Sequence, residues 1–200
     1  MSSRTRGLLR RLATKHSCLV LSGRSRADLR PKMEGTGIRE LVGNHGAEPW
    51  EGGAKARRQT SQWARALCRE LTGIPGLRIE NKIFSLTVHY RQCKAKREIH
   101  DRILRAARDL PHARIVGGKQ AISLVSWDAP NKGYALTARL DRLGCRAVFV
   151  GDDATDEDVF ALRDDRILTV RVGRRKASQA QYFLKTQQEI DDLLRFIDRL

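Results

Sequence analysis

Residues 148–158 read Val-Phe-Val-Gly-Asp-Asp-Ala-Thr-Asp-Glu-Asp. An apolar run passes directly into Gly151-Asp152-Asp153, and the acidic residues after it open a helical pattern. Carboxylates at the C-terminal end of a parallel strand stand where open α/β sheets bind ligands. Asp152 and Asp156, with Asp153 between them, can converge on one hard cation, because magnesium takes a few carboxylates together with water and phosphate oxygens. The same residues also suit a helix start with an acidic first turn, which the helix dipole favours. Taken alone, the stretch leaves both readings open.

Two other segments carry groups suited to phosphate. Leu19-Val20-Leu21-Ser22-Gly23-Arg24 is a second apolar run ending in a small hydroxyl. A hydroxyl with backbone N–H groups at a helix start can hold a phosphoryl oxygen, although a lone Ser22 equally reads as a cap. Pro130-Asn131-Lys132-Gly133 places a lysine at the start of a helix, where it could neutralise phosphate charge or simply be solvated.

These residues need a scaffold. Cys18–Leu21, Ala147–Val150 and Ile167–Val172 read as buried strands of a parallel sheet with helical patterns between them. Ile190, Leu193, Leu194, Ile197 and Leu200 recur at helical spacing and predict a closing amphipathic helix. The middle of the chain differs. Trp63, Leu67 and Leu71 predict a helix, and Phe84, Leu86, Val88 and Tyr90 alternate with Ser85, Thr87, His89 and Arg91 as a half-buried strand. Ile99, Ile103, Ala106, Ala107 and Leu110 predict a second helix, followed by strands at Arg114–Val116 and Ala121–Val125 joined through Gly117-Gly118. The expected organisation is an α/β core over 1–52 and 129–200, with an α+β module inserted at 53–128 after a linker at Glu51-Gly52-Gly53.

Composition sets limits. The 200 residues suit one large domain or two small ones. No apolar run approaches the ~18 residues that suggest a membrane span. Met1–Ser17 is arginine-rich, with Leu8, Leu9 and Leu12 on one side, and reads as an ordinary first helix rather than a transit peptide. Cys18, Cys68, Cys93 and Cys145 form no CxxC pair, which excludes a zinc site of that kind and fits a cytoplasmic setting. Cys18 and Cys145 are expected to be buried thiols. The formal charge of +16 could mean nucleic-acid binding. The basic residues are spread over the chain, however, and only 6% of residues are aromatic. A field attracting small anions explains the charge without a nucleic-acid partner.

In this order, Ser22, Lys132 and Asp152 resemble motifs II, III and IV of the haloacid dehalogenase superfamily. Finer stretches resemble the trehalose-6-phosphate phosphatases within it. They are Ser22-Gly23-Arg24-Ser25 with Ala27-Asp28-Leu29, Val42-Gly43-Asn44-His45-Gly46-Ala47-Glu48, Glu80-Asn81-Lys82 leading to His89-Tyr90-Arg91, Gly118-Lys119, Asn131-Lys132-Gly133 and Gly151–Asp158. The resemblance runs from about residue 8 to the end.

It implies a Rossmann-like core with an α/β cap, acting on trehalose 6-phosphate with Mg2+ through an aspartyl-phosphate intermediate. Ser22 would bind the transferring phosphoryl group and Lys132 would stabilise its charge. Asp152, Asp153 and Asp156 would hold the metal. Arg24, Asn44, His45 and Glu48 on the core side, and Lys82, His89, Arg91 and Lys119 on the cap, would contact substrate. Lys82 has the opposite parity to His89 and Arg91, so joining them would need a bulge. A trehalose-phosphate synthase is a partner that the resemblance allows.

Two features depart from the family. Many members carry a sugar-contacting Glu where this chain has Ser123, which leaves another sugar phosphate open as substrate. The family's first motif, Asp-x-Asp-Gly-Thr at the end of an apolar strand, is absent, and residues 1–21 contain no acidic side chain. That motif supplies the nucleophile and the general acid. Its strand would lie between those ending at Ser22 and Gly151, so two unpaired strand edges are expected. The expectation is an N-terminally truncated reading of a longer enzyme, or a non-catalytic relative that binds trehalose 6-phosphate. An upstream frame encoding Asp-x-Asp-Gly-Thr supports truncation; a stop codon directly before Met1 counts against a misplaced start.

Overall fold

The structure, a computed structural model, describes residues 1–49, 53–118 and 120–199. Glu51 and Gly52 of the expected linker, Lys119 and Leu200 lie outside the described residues. The chain begins with α1 (Ser3–Lys15), β1 (Leu19–Leu21), α2 (Arg26–Met33) and β2 (Glu40–Val42). Next come α3 (Ala54–Glu70), β3 (Arg78–Asn81), β4 (Ser85–His89), α4 (Lys96–Arg108), β5 (Ala113–Gly118) and β6 (Ala121–Ser126). It closes with α5 (Lys132–Leu143), β7 (Ala147–Gly151), α6 (Glu157–Phe160), β8 (Ile167–Val172), β9 (Tyr182–Leu184) and α7 (Ile190–Asp198). Two compact units result: Met1–Gly46 with Asn131–Leu200, and Ala47–Pro130. Glu48, expected on the core side, therefore falls in the second unit.

The first unit is built on parallel pairing. Leu19, Val20 and Leu21 of β1 pair with Glu40, Leu41 and Val42 of β2. Separately, β7 pairs with β8 from Ala147↔Ile167 to Gly151↔Arg171, and β8 pairs with β9. These are two sheets rather than one, with no ladder between β1 and β7 among the described residues. Both nevertheless contribute to one apolar cluster: Leu19, Leu21, Ala147 and Phe149 pack on Leu136, Leu140, Val159 and Ile167. Among the described residues β1 and β7 thus each keep one unpaired edge, as expected for the strands ending at Ser22 and Gly151. The strands are less buried than their composition predicts, with Val148 and Leu168 each 41% exposed. A narrow sheet cannot cover both of its faces as a wide parallel one does. Sequence reading missed β2 and β9 because each spans only three residues and shows no periodicity.

Charge holds α1 to α7. Ser2 caps α1 by accepting from Thr5 N at 3.0 Å. Asp198 near the end of α7 receives Arg11, while Lys15 Nζ lies 3.1 Å from its Oδ1. Thr5 Oγ1 donates to Asp191 Oδ1 at 2.7 Å.

The second unit is a four-stranded antiparallel sheet in the order β3-β4-β6-β5, with α3 and α4 packed on it. Trp63, Leu67, Leu86, Val88, Ile103, Ile122 and Leu124 form its core. β3 was not expected, because Arg-Ile-Glu-Asn carries little strand propensity. It is a hairpin partner of β4, joined by a tight turn in which Ile83 takes φ +74 and Lys82 N donates to Ser85 O at 2.8 Å. Gly117 and Gly118 lie inside β5 rather than between strands. Ser85 and Thr87, expected on a solvated face, are buried, so β4 is covered on both sides. The cysteines are free; Cys93 is buried, whereas Cys18 and Cys145 are half-buried. Among the described residues no helix is long and apolar enough to cross a membrane.

The hydrogen bond from Lys15 and the charges of Arg11 and Lys15 hold the Asp198 carboxyl below its ordinary pKa. Its stabilising effect is therefore complete above the unfolded value of ~3.9 and is lost as pH falls through the folded value. Asp198→Asn is expected to lower Tm at neutral pH by a few degrees and to flatten the acid limb of the Tm–pH curve. Thermal melts across pH 2–7 check both.

Candidate functional site

Gly151 ends β7, and the chain after it folds back on itself. Asp156 turns its carboxylate under the loop, where Oδ2 accepts from Asp152 N and Asp153 N, both at 2.8 Å. A Cβ on residue 151 would lie 2.3 Å from Asp156 Cγ, so glycine is required for this approach. Asp153 Oδ1 accepts from Thr155 N at 2.7 Å, Thr155 Oγ1 at 2.6 Å and Asp156 N at 3.1 Å. The acidic run is therefore a hydrogen-bonded loop before the short helix α6, whose N-cap Asp156 turns its side chain back to the loop rather than capping the helix.

Lys132 enters this loop from the start of α5, whose N-cap Asn131 accepts from Tyr134 N at 2.8 Å. Lys132 is not solvated: it is 2% exposed. Its Nζ lies 2.7 Å from Asp156 Oδ1 and 3.3 Å from each oxygen of Asp153. Burial works to raise the Asp153 carboxyl, but Lys132 and the hydrogen bonds from Thr155 outweigh it and hold that group below the usual range. Burial pushes Asp156 up; Lys132 opposes this, and the neighbouring Asp153 charge adds to it. Asp152 is exposed, and its carboxylate makes no hydrogen bond or ion pair among the described residues.

Ser22 follows the end of β1. It is half-buried, its N donates to Val42 O at 3.0 Å, and its Oγ accepts from Arg24 N at 3.2 Å. The Gly43–Gly46 turn holds this end of β1: His45 N donates to Ser22 O at 2.9 Å and Asn44 N to Arg24 O at 2.8 Å. Asn44 and His45 both have positive φ and are buried rather than presented at a surface. The His45 ring lies over Gly23, where a Cβ would come within 2.3 Å, and its Nδ1 stands 3.4 Å from Thr155 Oγ1. His45 thus links the Ser22 loop to the acidic loop. Arg24 is exposed.

Sequence reading missed Arg171. It is buried on β8 and donates to the carbonyls of Asp152 and Asp153 and to Glu157 Oε1. The available signal was an arginine inside an otherwise apolar strand. Among the described residues no three His, Cys, Asp or Glu side chains form a metal cage.

In the second unit, His89 Nε2 lies 2.7 Å from Glu80 Oε2, and Lys82 Nζ lies 4.0 Å from the same oxygen. A hairpin turn, not a bulge, brings Lys82 and His89 together. Glu80, which sequence reading did not single out, stands directly opposite Thr87, and Thr87 stands opposite Ser123. The Thr87 and Ser123 hydroxyls are 3.0 Å apart. Arg91 is exposed past the end of β4, and Glu48 is half-buried. Lys119 lies outside the described residues.

Lys132→Met leaves two carboxylates facing each other without their cation, and breaking such a buried pair costs about 3–5 kcal/mol. Urea unfolding is expected to show this loss for Lys132→Met. The double variant Lys132→Met/Asp156→Asn should lose clearly less than the sum of the two single changes.

The family model for trehalose-phosphatase matches residues 1–188. A probable trehalose-phosphate phosphatase E of Arabidopsis thaliana is 27% identical, over 100% of this chain and 63% of its own length. The trehalose-phosphate phosphatase of Mycobacterium avium is 34% identical, over 76% of this chain and 43% of its own length. The chain thus spans less than two thirds of these relatives. A solved trehalose-6-phosphate phosphatase related protein superposes with a TM-score of 0.75 at 25% identity, covering 100% of this chain and 88% of that one. The α/β fold is also that of a solved sugar phosphatase of the haloacid dehalogenase superfamily, at a TM-score of 0.67 and 14% identity.

Proposed function

The chain belongs to the trehalose-phosphatase family, and we propose that its first unit carries the site for hydrolysing trehalose 6-phosphate to trehalose and phosphate. The observation that carries this reading is the buried Lys132 held by Asp153 and Asp156, beside the uncommitted Asp152 carboxylate. Lys132 offsets charge on the phosphoryl group, and the Ser22 hydroxyl donates to one of its oxygens.

The residues present fit Mg2+. Magnesium is commonly held by one or two carboxylates, with water and phosphate oxygens completing its shell. Asp152 supplies one such carboxylate, and Asp153, half exposed, supplies a second through Oδ2, which meets only Lys132 at 3.3 Å among the described residues; Asp156 is buried, with both oxygens engaged by Lys132 and the loop amides. Asp156 therefore keeps the lysine and the loop in place. When bound, the cation would neutralise phosphate charge. In the second unit, taken by itself, Glu80, Lys82 and His89 group a carboxylate, an ammonium and an imidazole, a set suited to polar ligands. A trehalose-phosphate synthase in the cytoplasm is the fitting source of the substrate.

A second reading, binding without turnover, applies to these 200 residues taken by themselves: the family's attacking aspartate stands on a strand ahead of the Ser22 position, and residues 1–21 contain no acidic side chain. The 200-residue chain is expected to bind trehalose 6-phosphate in a Mg2+-dependent way while releasing phosphate near background. Adding an apolar strand ending in Asp-x-Asp ahead of Met1 should produce release that favours trehalose 6-phosphate over glucose 6-phosphate and sucrose 6-phosphate. Failure of the 200-residue chain to bind trehalose 6-phosphate would overturn the reading. A preference for another sugar phosphate would move the specificity to that sugar, as Ser123 allows.

A further inference from the structure

We propose that Arg171 is a positioning residue for the acidic loop, aiming Asp152 and Asp153 by clamping the peptide between them. This rests on the reading of that loop as the Mg2+ and phosphate site.

Arg171 is the β8 residue directly opposite Gly151 of β7, so its guanidinium comes up beside the first peptides of the loop. Nη2 donates to Asp152 O at 2.9 Å, and Nη1 donates to Asp153 O at 3.3 Å and to Glu157 Oε1 at 2.9 Å. The Asp152–Asp153 peptide is planar, with its carbonyl and amide pointing in opposite directions. Its carbonyl is held by Arg171 and its N–H by Asp156 Oδ2 at 2.8 Å. A peptide plane held at both ends cannot rotate without breaking one of these partly buried hydrogen bonds, and the direction in which both flanking residues leave the plane follows from it.

Arginine suits this position for a geometric reason. Two carbonyls and a carboxylate must be met from one buried point, and the planar guanidinium fork presents several N–H donors in fixed directions. Glu157 completes the brace, because its other oxygen accepts from Gln179 N at 3.0 Å and anchors the segment leading into β9. The side chain is only 8% exposed, so the positive charge also lies close behind the loop that carries Asp152, Asp153, Asp156 and Glu157. It offsets their mutual repulsion without occupying the face that Asp152 presents to solvent. A purely structural pair between β8 and α6 would need only the contact with Glu157; the two carbonyl contacts are what link Arg171 to the site.

The test uses the 200-residue chain with Arg171→Met, Arg171→Lys and Glu157→Gln. Mg2+ affinity is measured by calorimetry, and amide hydrogen exchange at Asp153 and Thr155 by NMR in the absence of metal. Arg171→Met is expected to weaken Mg2+ binding about tenfold, the lower end of what removing such a supporting partner does. It should also speed Asp153 exchange about tenfold, while Leu124 in the second unit is unchanged. Arg171→Lys should recover part of both effects, since one ammonium can reach one carbonyl. Should Arg171→Met not fold, Arg171→Lys decides, with an intermediate loss expected in both readouts. Unchanged Asp153 exchange in a folded Arg171 variant overturns the proposal, even where Tm has fallen. A wild-type chain that binds no Mg2+ would instead sink the metal reading, and the exchange measurement would still decide the role of Arg171.

Discussion

The first unit depends on one buried cation. Lys132, on α5, is buried with Asp156 and meets the half-exposed Asp153, and the two carboxylates bracket the turn between β7 and α6. Neither sign could be buried there alone, because an isolated ion in a low-dielectric interior loses several kcal/mol of hydration. The lysine therefore ties α5 to the end of β7, and the carboxylates shape the turn around it. Gly151 is constrained because Asp156 must pass close beneath it. Buried ion pairs are weak contributors to net stability, but they tolerate few alternative arrangements. A site that must meet a phosphate group gains from that restriction, since its donors need not reorganise when charge arrives.

This constraint also bears on the divided sheet. β1 and β7 contribute to a common apolar cluster yet exchange no ladder hydrogen bonds. Other contacts link their C-terminal ends. His45 spans from the loop after β2 to Thr155 of the acidic loop, and Gly46 lies against the backbone of Asn131, immediately before Lys132. The buried Gly43–Gly46 turn, with its two non-glycine residues at positive φ, therefore reads as a fastening between the Ser22 loop and the lysine. Asn44 and His45 are buried within that turn.

Much of this was legible before the fold, for identifiable reasons. Apolar runs feeding directly into Ser22 and Gly151 mark strand ends, and a site at strand ends follows from α/β geometry. The helices α3 and α4 announced themselves by spacing. What escaped notice was short or set by tertiary pairing. β2 and β3 have no pattern of their own, and Glu80 gains its place only through a hairpin whose turn strains Ile83 into positive φ. The burial of Lys132 was invisible, because sequence carries the charge but not its partner 24 positions away. Arg171 was passed over for the opposite reason: its apolar neighbours made the strand so clear that the single charge within it drew no question.

The sign of the whole molecule and the sign of the loop have to be considered together. The chain carries a formal charge of +16, whereas residues 152–158 contain five acidic side chains. A positive field draws small anions toward the surface. Within the last few ångströms, however, local groups dominate, because screening weakens the distant charges. An acidic loop without compensation would repel the same anions. Lys132 in front and Arg171 behind reduce that repulsion, and a divalent cation on Asp152 would remove most of the rest. On the proposed reading the loop's carboxylates recruit the metal, and the two buried cations flanking it are what let a phosphate approach.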